Sequence, residues 1–164
     1  MADCDSLSDF IKVGQQRLKD AEELMEKPTA DFQRSDAERR HLRGAMYLAG
    51  YAVECLLKAY LIDQEGGLSL IETQSKINIR RQGSGQELIR QIAATSAGHD
   101  IAYLAGLTDI SVRPGYDYKV WSRLARWKST WRYDYTTPKR EEAKKFVPLQ
   151  KVGIDAVWKT SLLT

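Results

Sequence analysis

SDAERRHLRGAMYLAGYAVECLLKAYLID, residues Ser35 to Asp63, is the stretch whose reading decides the fold. Leu42, Ala45, Met46, Ala49, Ala52, Val53, Leu56 and Tyr60 recur at steps of three and four, so they line one face of a single long helix. Ser35 and Glu38 have the spacing of a capping box, in which each side chain satisfies a backbone N–H left over at the first turn. A second stripe, Arg43, Tyr47, Tyr51, Glu54 and Lys58, runs beside the apolar one. Gly44, Ala45, Ala49, Gly50 and Ala52 are small enough to let another helix approach closely.

Outward from this rod, the chain reads as more helix. Leu7 to about Lys27 carries Leu7, Phe10, Ile11, Gly14, Leu18, Ala21 and Met25 on one side, with Ser6 as N-cap and Pro28 as the stop. Two long amphipathic helices joined by a short loop pack antiparallel. Gly66 and Gly67 end the central helix. The segment 69–82 is ambiguous between a short helix and irregular chain, and GSG at 83–85 is a turn. A helix is expected from Gln86 to about Thr95, with Leu88, Ile89, Ile92 and Ala93 inward. Asp100 caps a short helix, IAYLAGL, that turns Ile101, Leu104 and Leu107 to the core. A further helix is expected from Lys119 to Trp131, with Val120, Leu124, Trp127 and Trp131 in step and Trp121 at the flank. A last one follows Pro138, burying Ala143, Phe146, Val147, Ile154, Val157 and Trp158, and Pro148 should kink or restart it. The sum is an all-α, up-and-down bundle of four to five helices in one domain, with a partly irregular insertion at about 64–98.

Composition bounds the function. The 164 residues, 43% hydrophobic and 29% charged, suit one globular domain. No uninterrupted apolar run approaches the roughly 18–20 residues needed to span a bilayer, and the acidic N-terminus has no secretory pattern, so a cytoplasmic protein without membrane contact is expected. Cys4 and Cys55 read as free thiols; no metal cluster and no cofactor motif is found. The net charge of +3 is unevenly spread: residues 1–66 hold 9 basic and 13 acidic side chains, residues 113–151 hold 11 and 4. That asymmetry suits either an anion-facing surface or two oppositely biased solvated faces.

The run Tyr47-Leu48-Ala49-Gly50-Tyr51-Ala52-Val53-Glu54-Cys55, continuing to Leu57-Lys58-Ala59, resembles the second-helix signature of HEPN-domain proteins. His99-Asp100-Ile101 with Leu104 is similar to the His-Asp-Leu element that follows in many of them, and Arg132-Tyr133 to the Arg-Tyr that closes their fourth helix. The resemblance implies a helical bundle that is commonly a homodimer, often paired with a minimal nucleotidyltransferase in toxin–antitoxin or defence systems. Ribonucleases of that family carry an Arg, four to six residues, then a His on the later helices. Here WSRLARWKSTWRY (121–133) has Arg123, Arg126 and Arg132 but no histidine. Arg34 and His41 match the spacing only at the start of the central helix, away from the family position.

Six residues stand out as ligand contacts: Tyr51, Glu54, Lys58, His99, Arg126 and Arg132. Glu54 and Lys58, four apart, form either an exposed intrahelical pair or, between the tyrosines, an anion site in a cleft. His99 either fixes the turn before Asp100 or meets an anion at a helix start. Trp121, Trp127 and Trp131 among arginines have the make-up of a single-strand-binding surface, but their spacing favours core packing; Arg126 and Arg132 are freer to hold phosphate. The resulting expectation is a nucleotide-, RNA- or partner-binding module without a catalytic set. An endoribonuclease with an atypical Arg/His site and a pure protein-interaction subunit are the alternatives.

Overall fold

The computed structural model describes residues 5–26, 35–93, 96–112, 116–129 and 142–148, without the side chains of 35–40, 96 and 97. The protein is all-α. Its helices are α1 (Leu7–Glu26), α2 (Ser35–Glu65), α3 (Leu70–Gly83), α4 (Ile101–Gly106) and α5 (Tyr118–Leu124), followed by residues 142–148, here α6. Single 3-10 turns occur at Ser96–His99 and Ile110–Val112.

The central rod is α2. Residues 52–62 are buried without a break, so this part of the helix is covered on every side. Contacts from along the chain provide the covering. α1 runs antiparallel to it, since Gly14 meets Leu56 and Ala52 while Leu24 lies near Gly44. Val147 of α6 packs with Ala21, Ala45 and Ala49, and these small residues admit the neighbouring helices. The Tyr60 hydroxyl donates to Asp109, and Glu65 holds Arg80 of α3 through two bonds of 2.8 Å. One apolar cluster runs from Phe10 to Phe146. Residues His41–Glu65 also meet the length and composition of a membrane-crossing helix, with 83% of the apolar window buried inside the fold. Counting uninterrupted apolar residues missed this, because Glu54 and Lys58 break the run while the residues around them keep the window apolar.

Local chemistry sets the helix ends. The Ser6 hydroxyl oxygen accepts from the Asp9 N–H at 3.3 Å and donates to its carboxylate at 2.6 Å, so α1 starts where the sequence placed it. At the end of α2, Gly67 N–H reaches the Ile62 carbonyl at 2.9 Å and Gly66 N–H the Asp63 carbonyl at 3.1 Å, with Gly66 left-handed at φ 61°. Asp100 accepts from Tyr103 N–H at 3.0 Å and caps α4. The side chains of Ser35 and Glu38, the Pro28 stop and the side chains of Trp131, Ile154, Val157 and Trp158 are not among what the structure describes, nor is any kink beyond Pro148.

Three expectations change. Residues 70–83 form a regular helix, capped by Ser69, whose hydroxyl accepts from Glu72 N–H. The periodicity was blurred because Ile71 and Ile79 are 62% and 71% exposed. Residues 86–92, expected to be helical, are irregular, with Ile89 and Ile92 buried and Leu88 exposed. Their backbone donors are satisfied from outside: Asn78 Oδ1 takes Ile89 N–H at 2.8 Å, Gln74 Oε1 takes Ile92 N–H at 3.0 Å, and the Tyr103 hydroxyl takes Arg90 N–H at 2.8 Å. Side chains thus replace the helical ladder. Finally, α5 stops at Leu124 instead of running on, and Trp127 leaves it to lay its ring over Gly50 of α2.

Candidate ligand-binding site

Glu54 and Lys58 share one turn of α2, and that turn is interior. Their side chains are 1% and 7% exposed, and Lys58 Nζ lies 2.7 Å from Glu54 Oε1. The ammonium also stands 5.7 Å from the centroid of the Phe10 ring, a cation–π arrangement supplied by α1. Glu54 Oε2 is 3.0 Å from His99 Nδ1. Each carboxylate oxygen therefore has a partner, one cationic and one imidazole. This is a buried ion pair, not the surface pair that its spacing alone allowed.

His99 arrives from 45 positions away in sequence, on a turn before α4 that passes close to the preceding segment. At Gly98 a Cβ would sit 2.0 Å from the Ile92 carbonyl oxygen, so only glycine fits there. The His99 side chain is 44% exposed, unlike the two residues behind it. An ionised carboxylate only accepts, so Nδ1 carries the hydrogen and donates to Glu54. In the neutral ring the remaining lone pair is then on Nε2. An imidazole with one nitrogen held by a buried carboxylate and an exposed edge can accept a proton or hydrogen-bond a ligand. When charged, it can hold an anion.

The other expected contacts divide. Tyr51 is half-buried, its ring stacked on Tyr47 at 6.2 Å and 7°. Tyr47 in turn stacks on Trp127 at 6.0 Å, and Trp127 Nε1 donates to the Tyr47 carbonyl at 3.2 Å. This aromatic column rises from the same stripe of α2 as Glu54 and Lys58. Arg126 is exposed in the turn after α5, and the contacts of Glu54, Lys58 and His99 given above do not include it. Arg132 lies outside the described residues. Trp121 and Trp127 are 5% and 3% exposed, so both are packed inside and Trp121 is not at a flank. Among the described residues no group of three or more His, Cys, Asp or Glu side chains could hold a metal ion.

Sequence reasoning missed Phe10 as part of the site, since it counted only as a core position of α1. It also missed two clefts beside α4. One, of ≈ 480 Å³, includes Arg81, Arg90 and Tyr103. The other, of ≈ 430 Å³, includes Tyr116, Tyr118 and Trp121. No spacing announces them, because their walls come from elements separated in the chain.

Compared with known proteins, the chain matches no family model, no curated protein and no solved structure.

Proposed function

We propose that this chain is a HEPN-like helical bundle that binds a nucleotide or RNA, with His99, backed by Glu54 and Lys58, as the anchor of its site. The observation that carries the reading is the hydrogen bond from His99 to a carboxylate buried at the centre of α2. A buried Glu–Lys pair is seldom needed for stability alone, because apolar side chains of the same size serve as well. Here it holds an exposed imidazole in a fixed orientation. The central-helix run and the His-Asp-Ile element support the family, and the excess of basic residues over 113–151 supports an anionic ligand. Arg126 and Arg132 extend the phosphate-binding surface in this proposal.

The test is the affinity for a labelled single-stranded RNA and for mononucleotides, measured for wild type, His99→Ala and the Arg126→Ala/Arg132→Ala pair. Loss of affinity in both variants, with helicity retained, is expected. Unchanged affinity in both would remove the site. A ligand that binds the folded state must also raise the melting temperature, so no shift with RNA or nucleotide would favour the pure interaction subunit instead.

The second reading, an endoribonuclease with an atypical Arg/His site, is favoured by the same imidazole geometry, since a histidine oriented through Nδ1 is poised to exchange a proton through Nε2. Wild type that leaves RNA intact, alone and with a minimal nucleotidyltransferase partner, would refute it. Homodimerisation, association with a nucleotidyltransferase partner and a cytoplasmic location without membrane contact complete the proposal. Sedimentation and co-purification test the first two, and cell fractionation the third.

A further inference from the structure

The two clefts beside α4 have Ala102 and Gly106 in common, so they meet across the exposed face of that helix. Each volume, ≈ 480 and ≈ 430 Å³, falls in the lower part of the roughly 300–1,000 Å³ usual for small-ligand sites. Their chemistries differ. The first is cationic. Arg90 lies with its guanidinium 4.0 Å from the centroid of the Tyr103 ring, while its backbone N–H donates to the hydroxyl of that same tyrosine. Arg81 is fixed by its Nε, which donates 2.6 Å to the Glu87 carbonyl. Two arginines against the single Glu87 carboxylate leave this cleft positive. Because both arginines are already ordered, binding phosphate would cost them little further entropy.

The second cleft holds no charged side chain among its lining residues. Tyr116 stacks on the buried Trp121 at 6.1 Å and 12°, and Tyr118 is 74% exposed beside it. Ser111 and Ser122 add hydroxyls. Flat aromatic faces with neutral hydrogen-bonding groups suit a nucleobase, as the arginine side suits a phosphate. Between them the ridge of α4 is bare: Ala102 is exposed, and a Cβ at Gly106 would meet nothing within 4 Å.

We infer that the exposed face of α4 is a second contact site for a nucleotide unit, its base against Tyr118 and Tyr116 and its phosphate on Arg90 and Arg81, across the saddle of Ala102 and Gly106. This rests on the nucleic-acid reading above but uses none of the residues of the His99 site. The unit can be a free nucleotide or one link of a single strand. The two sources are told apart by measuring a fluorescein-labelled single-stranded RNA of about ten nucleotides, within the usual footprint of such sites, alongside AMP and UMP.

The decisive variant is Gly106→Leu, which fills the saddle where the fold has open space and replaces glycine by a better helix former. Its circular dichroism should match wild type while RNA affinity falls at least tenfold; Ala102→Leu should behave alike. Tyr118→Ala should weaken binding roughly tenfold, in the range of one lost base stack. Arg81→Ala and Arg90→Ala should each flatten the salt dependence by about 0.7 in log–log slope, the share of one phosphate contact on a single strand. Competition by AMP or UMP assigns the site to free nucleotides, and binding of the oligomer alone assigns it to a strand. If wild type binds RNA and both saddle variants bind it equally well, the α4 site is wrong while the His99 reading stands. If wild type binds neither RNA nor nucleotide, both fall.

Discussion

Removing one member of the Glu54–Lys58 pair should cost far more than removing both. With side chains 1% and 7% exposed, neither charge has water to fall back on. Deleting one partner of such a pair costs about 3–5 kcal/mol, because the other stays buried and uncompensated. In a chain of this size each kcal/mol moves the melting temperature by about 2–4 °C, so a drop of about 6–20 °C is expected. The two deletions are not equivalent. Among the described residues, Glu54→Leu leaves the ammonium with only the Phe10 ring, 5.7 Å away, worth about 0.5–2 kcal/mol. Lys58→Met leaves the carboxylate its bond to His99 at 3.0 Å, which becomes an ion pair whenever the ring is protonated. Glu54→Leu should therefore be the worse by about 1 kcal/mol. The double variant Glu54→Leu/Lys58→Met replaces both charges by apolar side chains of similar length and should come close to wild type. Thermal and urea unfolding of the four proteins closes a double-mutant cycle. Single losses below about 1 kcal/mol, or a double variant as unstable as the sum of the singles, would refute the claim that this pair is desolvated and mutually dependent.

Other consequences are as direct. Gly50→Ala places a Cβ 1.9 Å from Trp127 Cδ1, so the indole must leave its seat; overpacking of about 1–3 kcal/mol should outweigh a helix-propensity gain of about 1 kcal/mol, with altered tryptophan fluorescence. Asp117→Ala removes the acceptor of Lys119 N–H at 2.8 Å and Val120 N–H at 3.4 Å, and should cost about 1 kcal/mol in urea unfolding. Asn78→Leu strips the acceptor from Ile89 N–H, and amide exchange over 86–93 should accelerate while α2 stays protected. The Glu72 carboxyl is held below the usual glutamate range by the Leu68 N–H and by Lys76. A depressed folded value stabilises above the ordinary pKa and is lost as pH falls through the folded one. Glu72→Gln should thus lower stability near neutrality and lose its effect in acid; a constant difference across that range would contradict the sign.

What the sequence disclosed was what neighbours along the chain decide. The reach of α2, the Ser6 and Asp100 caps and the glycine stop at 66–67 are all set within one turn of themselves. The failures have a common cause. Residues 86–92 carry a helix-like spacing, yet Asn78 and Gln74, already fixed on α3, offer their backbone another set of acceptors. Trp127 keeps helical step with Val120 and Leu124, yet its ring finds the gap over Gly50, which only the folded α2 presents. The ambiguity over 69–82 came from isoleucines that face out. The candidate site shows the same division. Glu54 and Lys58 could be paired from their spacing, but their burial depends on α1 and on the turn before α4, and so does the arrival of His99.

That division bears on what the buried pair is for. Between 52 and 62 every neighbour of α2 is packed against it, and each charged position there competes with an apolar one that would cost nothing to desolvate. A pair whose job was only to hold the bundle together would be replaceable by leucine and methionine without loss. The bond to His99 is what such a replacement cannot reproduce, since it takes away the acceptor that fixes the ring and leaves the imidazole free to turn at the surface. Stability and binding should therefore part company in the double variant: near-native unfolding, with ligand affinity reduced to the level of His99→Ala. Affinity that survives the loss of both charges would mean that the imidazole is not the anchor, and that the pair belongs to the packing alone.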